Sequence, residues 1–494
     1  MQKRYLKYAA GVSAAASAAL ILVNCSGTVD QIPNPTTSVK PAASLTVPGI
    51  TSAVTYSFDL GAYDPATNTY YVTDRTNKSI DVVDLTKLVI KGQFKPSGAN
   101  AFTGCNSTTG TTTATPINLP GCNTITATPA NFAVNNDASG PDGLDVVGQT
   151  LFVGDVNKLV VLNKTTGAVI ANSPVAIPSI PTGLRADEGC YDAANHLYAI
   201  STPGSLNPFI TFLDTTASDV AAPAVPVAPT VIVTVIMNGV DPVSGASVGT
   251  QGLEACFSDG TNFWVNNDGS PANPDGEANG IPIADILAIK AGGGLPKTAV
   301  FQGSATSFLQ QDGATPATNV PAGGVLGVTA GFGATAVKVY PLIAGCTPTG
   351  IAPGPGNELG TMCRPGVGAR MDFVILDKTT GAILHQMAGL GGGDQITYDA
   401  VSKRWFLANS RHTGNGISCG AGTAVTCPLS PALTIIADDG VAAPSLVRHT
   451  DNGNNAHSVA VGGGYVITPF SNPTGGGGGA AFANGGINIW KTTQ

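Results

Sequence analysis

The sequence predicts an all-β fold: a β-propeller of seven or eight four-stranded blades with long insertion loops. Composition points there first, because 494 residues carry 63 Gly and 35 Pro, which break helices and punctuate short strands. Repetition points there next. Residues 59–94 contain DLGAYD, TYYVTD, SIDVVDL and IKGQF, four alternating apolar segments separated by turn residues. The same pattern returns over 142–170 as DGLDVVG, TLFVGD, KLVVLN and AVIAN. Its last turn, Lys164-Thr165-Thr166-Gly167, recurs as Lys378-Thr379-Thr380-Gly381. Regular units of this size are how a propeller is written in sequence.

The elements follow in order. Lys3, Arg4 and Lys7 precede the apolar run Ala14 to Val23, which is too short for a stable bilayer span and reads as a signal peptide over 1–24. Residues 25–53 form an N-terminal linker, and 54–494 form one propeller domain. Beyond the two units quoted, further blades begin near Glu188, Glu254, Cys346, Asp394 and His457. VLGVTAG and TAVKVYPL within 303–345 offer material for an eighth. INIWK at 487–491 is a lone strand in need of partners, and a C-terminal strand completing the first blade would close the ring. Inserts near 95–140, 215–250 and 303–340 exceed ordinary loop lengths.

Charge excludes one large class of function. Charged residues make up 11% of the chain, and 31 acidic against 23 basic residues leave a net charge of −8. A nucleic-acid footprint needs a basic face, so no nucleic-acid partner is expected. The low charge also suits work in acid, where carboxylates lose their charge; a neutral exported repeat protein accounts for it equally. Of nine cysteines, eight follow Cys25, an even number in an exported chain that argues for disulfides. Cys105/Cys122, Cys346/Cys363 and Cys419/Cys427 each bracket a loop. Cys190 in RADEGC and Cys256 in QGLEAC occupy equivalent places on neighbouring repeats, which favours a bridge between blades; buried thiols, or exchange with a sulfur substrate, are the other readings.

TYYVTDRTNKSIDVVDL resembles the YVTN-type repeat of bacterial exported propellers. GPDGL, RADEGCYD, NPFITFLD, QGLEAC, GCTPTGIAPGPGNEL, GGGDQITYD and AHSVAV resemble successive blade openings of that lactonase-like superfamily. In overall make-up the chain also resembles the tetrathionate hydrolases of acidophilic sulfur-oxidising bacteria, which implies a cavity and a homodimer contact built by the insertion loops. No motif of those hydrolases aligns residue by residue. Leu22-Val23-Asn24-Cys25 resembles a lipoprotein lipobox, with Asn24 where a small residue is usual, which implies a lipid anchor at Cys25. The expected location is extracytoplasmic, in the periplasm or on the outer cell surface.

Aligned by their opening strands, Asp59, Asp142, Glu188, Glu254, Asp394 and His457 share one register at the channel mouth. Converging carboxylates repel, which raises at least one pKa and supplies a general acid or a metal site; the alternative is that each caps a local turn. For hydrolysis of a small anionic substrate, tetrathionate above all, the acid candidates are Asp312 in the mid-chain insert, Glu188, Glu254 and Asp394. Arg185, Arg411 and His457 are the candidate anion ligands. No metal ligand set and no cofactor is expected: the five histidines stand in unrelated contexts, and no GxSxG, HExxH, P-loop or CxxCH occurs in a credible setting. A metal-dependent lactonase and a non-enzymatic surface-binding propeller are the alternatives.

Overall fold

A computed structural model describes residues 39–494 apart from 52–54, 106, 109–132, 135, 178, 180–181, 205–207, 222–223, 238–249, 251, 270–274, 293–296, 301–337, 365–368, 415, 419–428, 472–481 and 494. Asp312, Cys25, Cys122, Cys419, Cys427 and the signal segment 1–24 lie outside the described residues.

Seven antiparallel four-stranded blades form a β-propeller ring. Blade 1 runs Phe58–Asp64, Thr69–Asp74, Ser79–Asp84 and Val89–Phe94, innermost strand first. The innermost strands of blades 2 to 6 are Leu144–Val147, Gly189–Asp192, Leu253–Ser258, Pro348–Pro353 and Ile396–Asp399. That of blade 7 is Ala460–Gly462. The second and third strands are buried almost throughout because both of their faces meet a neighbouring blade. Phe152, Leu159 and Val161 of blade 2, for example, share an apolar cluster with Tyr198, Ile200 and Leu213 of blade 3. Trp264 of blade 4 and Trp405 of blade 6 are wholly buried.

Closure differs from the sequence expectation. INIWK is the third strand of blade 7, Gly486–Lys491, and its outer neighbour is the N-terminal strand Ala43–Leu45, paired as Ala43↔Ile489 and Leu45↔Ile487. The N-terminal segment therefore completes the last blade, the reverse of a C-terminal strand completing the first. Blade 1 already has its own fourth strand in Val89–Phe94, so no edge there remains to be paired. In blade 2 the fourth strand is Val175–Ala176, while Val169 makes only a bridge to Leu162. Residues Lys338–Pro341, within the material considered for an eighth blade, are the outer strand of blade 4. The insert ahead of them opens with the helix Ile283–Ala291 and then a strand, Lys297–Val300, that adds in parallel to the edge of blade 3.

The repeated Lys-Thr-Thr-Gly turns fasten neighbouring blades. Tyr71 of blade 1 donates a hydrogen bond to the Lys164 carbonyl of blade 2 at 2.8 Å, and Tyr340 of blade 4 donates to the Lys378 carbonyl of blade 5 at 2.9 Å. Each turn ends on a glycine in the left-handed region, Gly381 at φ +75°, and a Cβ there would stand 2.4 Å from the Tyr340 ring. Gly381→Ala is thus expected to lower stability by about 1–3 kcal/mol. Gly260→Ala, also at positive φ but facing open space, is expected to cost less; equal shifts in thermal midpoint would contradict the packing account.

Two cystine bridges stand among the described residues. Cys346–Cys363 closes a loop at the start of blade 5. Cys190–Cys256 joins the innermost strands of blades 3 and 4, the inter-blade reading of that pair. Cys105 is also disulfide-bonded.

Candidate functional site

The innermost strands deliver their first residues to one mouth of the channel. Three of them carry an extra residue there: the register slips by one between Phe58 and Gly61, between Leu253 and Cys256, and between Pro348 and Ile351. A bulge re-aims the side chains it contains, and Asp59 and Glu254 sit within two of these. Both line a cavity of about 590 Å³ together with Glu188, Asp394, Arg185, Arg411 and His457. Six of the seven residues singled out from sequence as catalytic or anion-binding therefore meet in one space; the seventh, Asp312, lies outside the described residues. The cavity also contains Arg75, Asp187 and Arg364, which sequence reasoning missed. Their signal was present: TYYVTD-Arg75, ELGTMC-Arg364 and RWFLANS-Arg411 each place arginine just after a blade's second strand.

One side of the mouth is a closed ionic network. Arg75, 3% exposed, bridges Asp59 at 2.9 Å and donates from Nε and Nη2 to Asp142. Arg185 pairs with Asp187 at 2.9 Å and lies 4.0 Å from Asp59. His457 places Nε2 3.2 Å from Asp59 and Nδ1 2.7 Å from the Asn455 carbonyl, with its ring stacked on Phe58. Burial works against charge on this histidine, but Asp59 and Asp394 raise its pKa. As the cation it donates from both nitrogens and has no donor left for a ligand. Burial pushes Asp59 upward, yet Arg75, His457 and Arg185 outweigh it and hold the carboxyl at about 2. Asp142 goes the other way: burial and the Asp59 charge raise it despite Arg75, since one guanidinium cannot fully compensate two carboxylates.

The adjoining part of the mouth, toward Glu188 and Glu254, is acidic and undercompensated. Glu188 is 8% exposed, and burial together with Asp187, Glu254, Asp59 and Asp394 raises its pKa well above the usual range. Burial lifts Glu254 to about 7, with Arg364 opposing and Asp394 adding to the rise. Burial likewise lifts Asp187 to about 7 against the pull of Arg185, and Asp268 behind them to about 8. Glu188 is consequently a carboxyl group that holds its proton more tightly than usual and faces a cavity lined by four arginines. Asp59, Asp142 and Asp187 approach closely enough to hold a cation, but Arg75 and Arg185 already occupy the space among them with positive charge.

Glu188 and Asp394 also line a second cavity of about 380 Å³ further along the channel, walled by the Cys190–Cys256 bridge, Tyr191, Phe257 and Tyr398. Asp145 faces this space; burial raises it to about 7, with Tyr198 donating to it at 3.0 Å.

No protein-family description and no curated protein sequence matches this chain. Solved structures do. A chain of hydrazine synthase from Kuenenia stuttgartiensis is 10% identical with a TM-score of 0.50, covering 90% of this chain and 99% of its own length. The Cps50 (Swd1) β-propeller domain from Myceliophteria thermophila is 9% identical with a TM-score of 0.48, covering 92% and 99%. At 10% identity the likeness to the hydrazine synthase chain is one of fold alone.

Proposed function

We propose that the chain is an exported hydrolase of a small dianion, working in acid, with tetrathionate as substrate. One observation carries this reading: a buried carboxyl group, Glu188, whose proton is held by burial and by neighbouring carboxylates, lines a cavity with four arginines. Hydrolysis consumes one tetrathionate and one water and yields thiosulfate, sulfate, one sulfur atom and two protons. Two sulfur–sulfur bonds break. The trisulfur fragment left when one sulfonate departs as sulfate later sheds a sulfur atom and keeps that bond's electron pair as thiosulfate. In the first cleavage the water oxygen ends in sulfate, while the electron pair of the broken bond stays on the departing sulfur. That sulfur leaves more easily when an acid protonates it, and Glu188 has the proton to give. The arginines offset the dianion's charge inside a cavity, where each contact is worth more than in bulk solvent.

Asp394 takes a supporting role in this scheme, raising the Glu188 pKa by its charge, and Glu254, itself lifted to about 7, lines the same cavity. The signal-like segment and the lipobox-like Cys25 support a location outside the cytoplasm, and the insertion loops offer a homodimer contact. A calcium-dependent lactonase is the weaker reading, because the carboxylate trio a cation would need is paired with Arg75 and Arg185. Purified protein given tetrathionate is expected to release thiosulfate and sulfate in equimolar amounts and to leave lactones untouched with or without calcium. Lactone turnover that requires calcium would replace the proposal, and absence of any turnover would leave a binding propeller.

A further inference from the structure

The four arginines at the mouth are not equivalent. Arg75 and Arg185 are spent on Asp59, Asp142 and Asp187. Arg364 and Arg411 line the same cavity but have no hydrogen bond or ion pair from their side chains among the described residues; only their backbones are tied, Arg364 N–H to the Thr347 carbonyl at 2.7 Å and Arg411 N–H to the Gly392 carbonyl at 2.8 Å. They follow the second strands of adjacent blades 5 and 6, Arg364 immediately and Arg411 one residue further on. In blade 1 the corresponding Arg75 is neutralised by two carboxylates. Arg364 is half-buried and Arg411 exposed. Guanidinium groups at the rim of a cavity, fixed at their backbones and bonded to no carboxylate, are placed for an anionic ligand.

We propose that Arg364 and Arg411 form an oxyanion clamp that grips one tetrahedral sulfonate end of the substrate. The inference rests on the hydrolase reading for the identity of the substrate but not for the existence of the clamp. Two guanidinium forks on neighbouring blades match the three oxygens of a sulfonate, each donating charge-assisted hydrogen bonds. The clamp lies toward blades 5 and 6, and the acid Glu188 enters from blade 3. A substrate held by one end at the arginines thus extends its sulfur chain toward the proton donor. Specificity follows: the site requires an oxyanion terminus, and sulfate and thiosulfate, which end the same way, compete for it.

The test is binding of thiosulfate to the full-length protein in acid, measured by calorimetry on the parent and on the Arg364→Gln and Arg411→Gln variants, with thermal midpoints as the control for folding. Each substitution is expected to weaken thiosulfate about tenfold or more and, in turnover, to raise KM for tetrathionate far more than it lowers kcat. Arg364→Lys keeps the charge without the fork and is expected to recover only part of the affinity. Unchanged thiosulfate affinity in both glutamine variants, with folding intact, would overturn the clamp even if tetrathionate turnover is normal. Arginine-dependent thiosulfate binding in a protein that never turns over tetrathionate would instead retain the clamp and reject the hydrolase.

Discussion

Glu188→Gln is expected to abolish turnover, by about two to four orders of magnitude in kcat, while leaving the fold intact. The amide has the size of the acid and donates hydrogen bonds, but it has no proton to give to a departing sulfur. Folding is expected to survive because burial and the surrounding carboxylates already disfavour charge on the parent residue, and the amide keeps its size. The expected kinetic pattern is a collapse of kcat with KM little changed, since anion binding rests on the arginines. Asp59→Asn contrasts with it. That substitution removes a partner shared by Arg75 and His457, leaves buried cations short of a counter-charge, and is expected to lower the thermal midpoint as well as activity. An active Glu188→Gln enzyme would move the acid elsewhere, with Glu254, Asp394 and the mid-chain Asp312 next in line.

The second large effect is on stability against pH. Burial raises Asp81 to about 6, Asp145, Asp187 and Glu254 to about 7 and Asp268 to about 8, and it raises Asp74, Asp142 and Glu188 well above their ordinary range. An acid whose folded pKa exceeds its unfolded value binds more protons in the native state. Its contribution is therefore complete below about pH 4 and is lost as pH climbs through the folded pKa. A tenfold difference in proton affinity between the folded and unfolded chain is worth about 1.4 kcal/mol. This group together is thus expected to cost several kcal/mol between about pH 5 and pH 8, comparable with the whole stability of many domains.

Two buried histidines oppose this. Burial lowers His412 to about 4 and, helped by His412 itself, lowers His449 to about 3; their contribution is present above the unfolded pKa and fades as pH falls toward those values. The carboxyls outnumber them, and the net expectation is a urea midpoint that falls from mildly acidic to alkaline pH. A midpoint that rises over that span would contradict the burial of the channel acids.

Much of the site was legible because a propeller repeats. Once TYYVTD and TLFVGD are aligned, the residues opening each blade share a register, and Asp59, Glu188, Glu254, Asp394 and His457 do meet at one mouth. Their individual roles were not legible. His457 looks like an anion ligand in AHSVAV until its two nitrogens are found bonded to Asp59 and Asn455, and Arg185 until Asp187 is found beside it. Arg364 was missed because its signal, an arginine following a second strand as in TYYVTD-Arg75 and RWFLANS-Arg411, shows only when the ends of the second strands are aligned rather than the blade openings. The bulges at Asp59 and Glu254 are one-residue slips in backbone pairing that alternation over a short strand cannot reveal. Closure was misread for a similar reason: Ala43–Leu45 is only three residues long, with prolines on both flanks, and its place is set by the partner Ile487–Ile489 rather than by its own pattern.

The most direct measurement is the rate of thiosulfate and sulfate release from tetrathionate by one preparation of the protein, from acid to alkaline pH, each with and without a chelator. The reaction needs a protonated Glu188 and no step of it needs a metal, so release is expected to be fast in acid, to fall away only at the raised pH where Glu188 loses its proton, and to ignore the chelator. Release that is absent in acid, or that the chelator abolishes, would contradict the account.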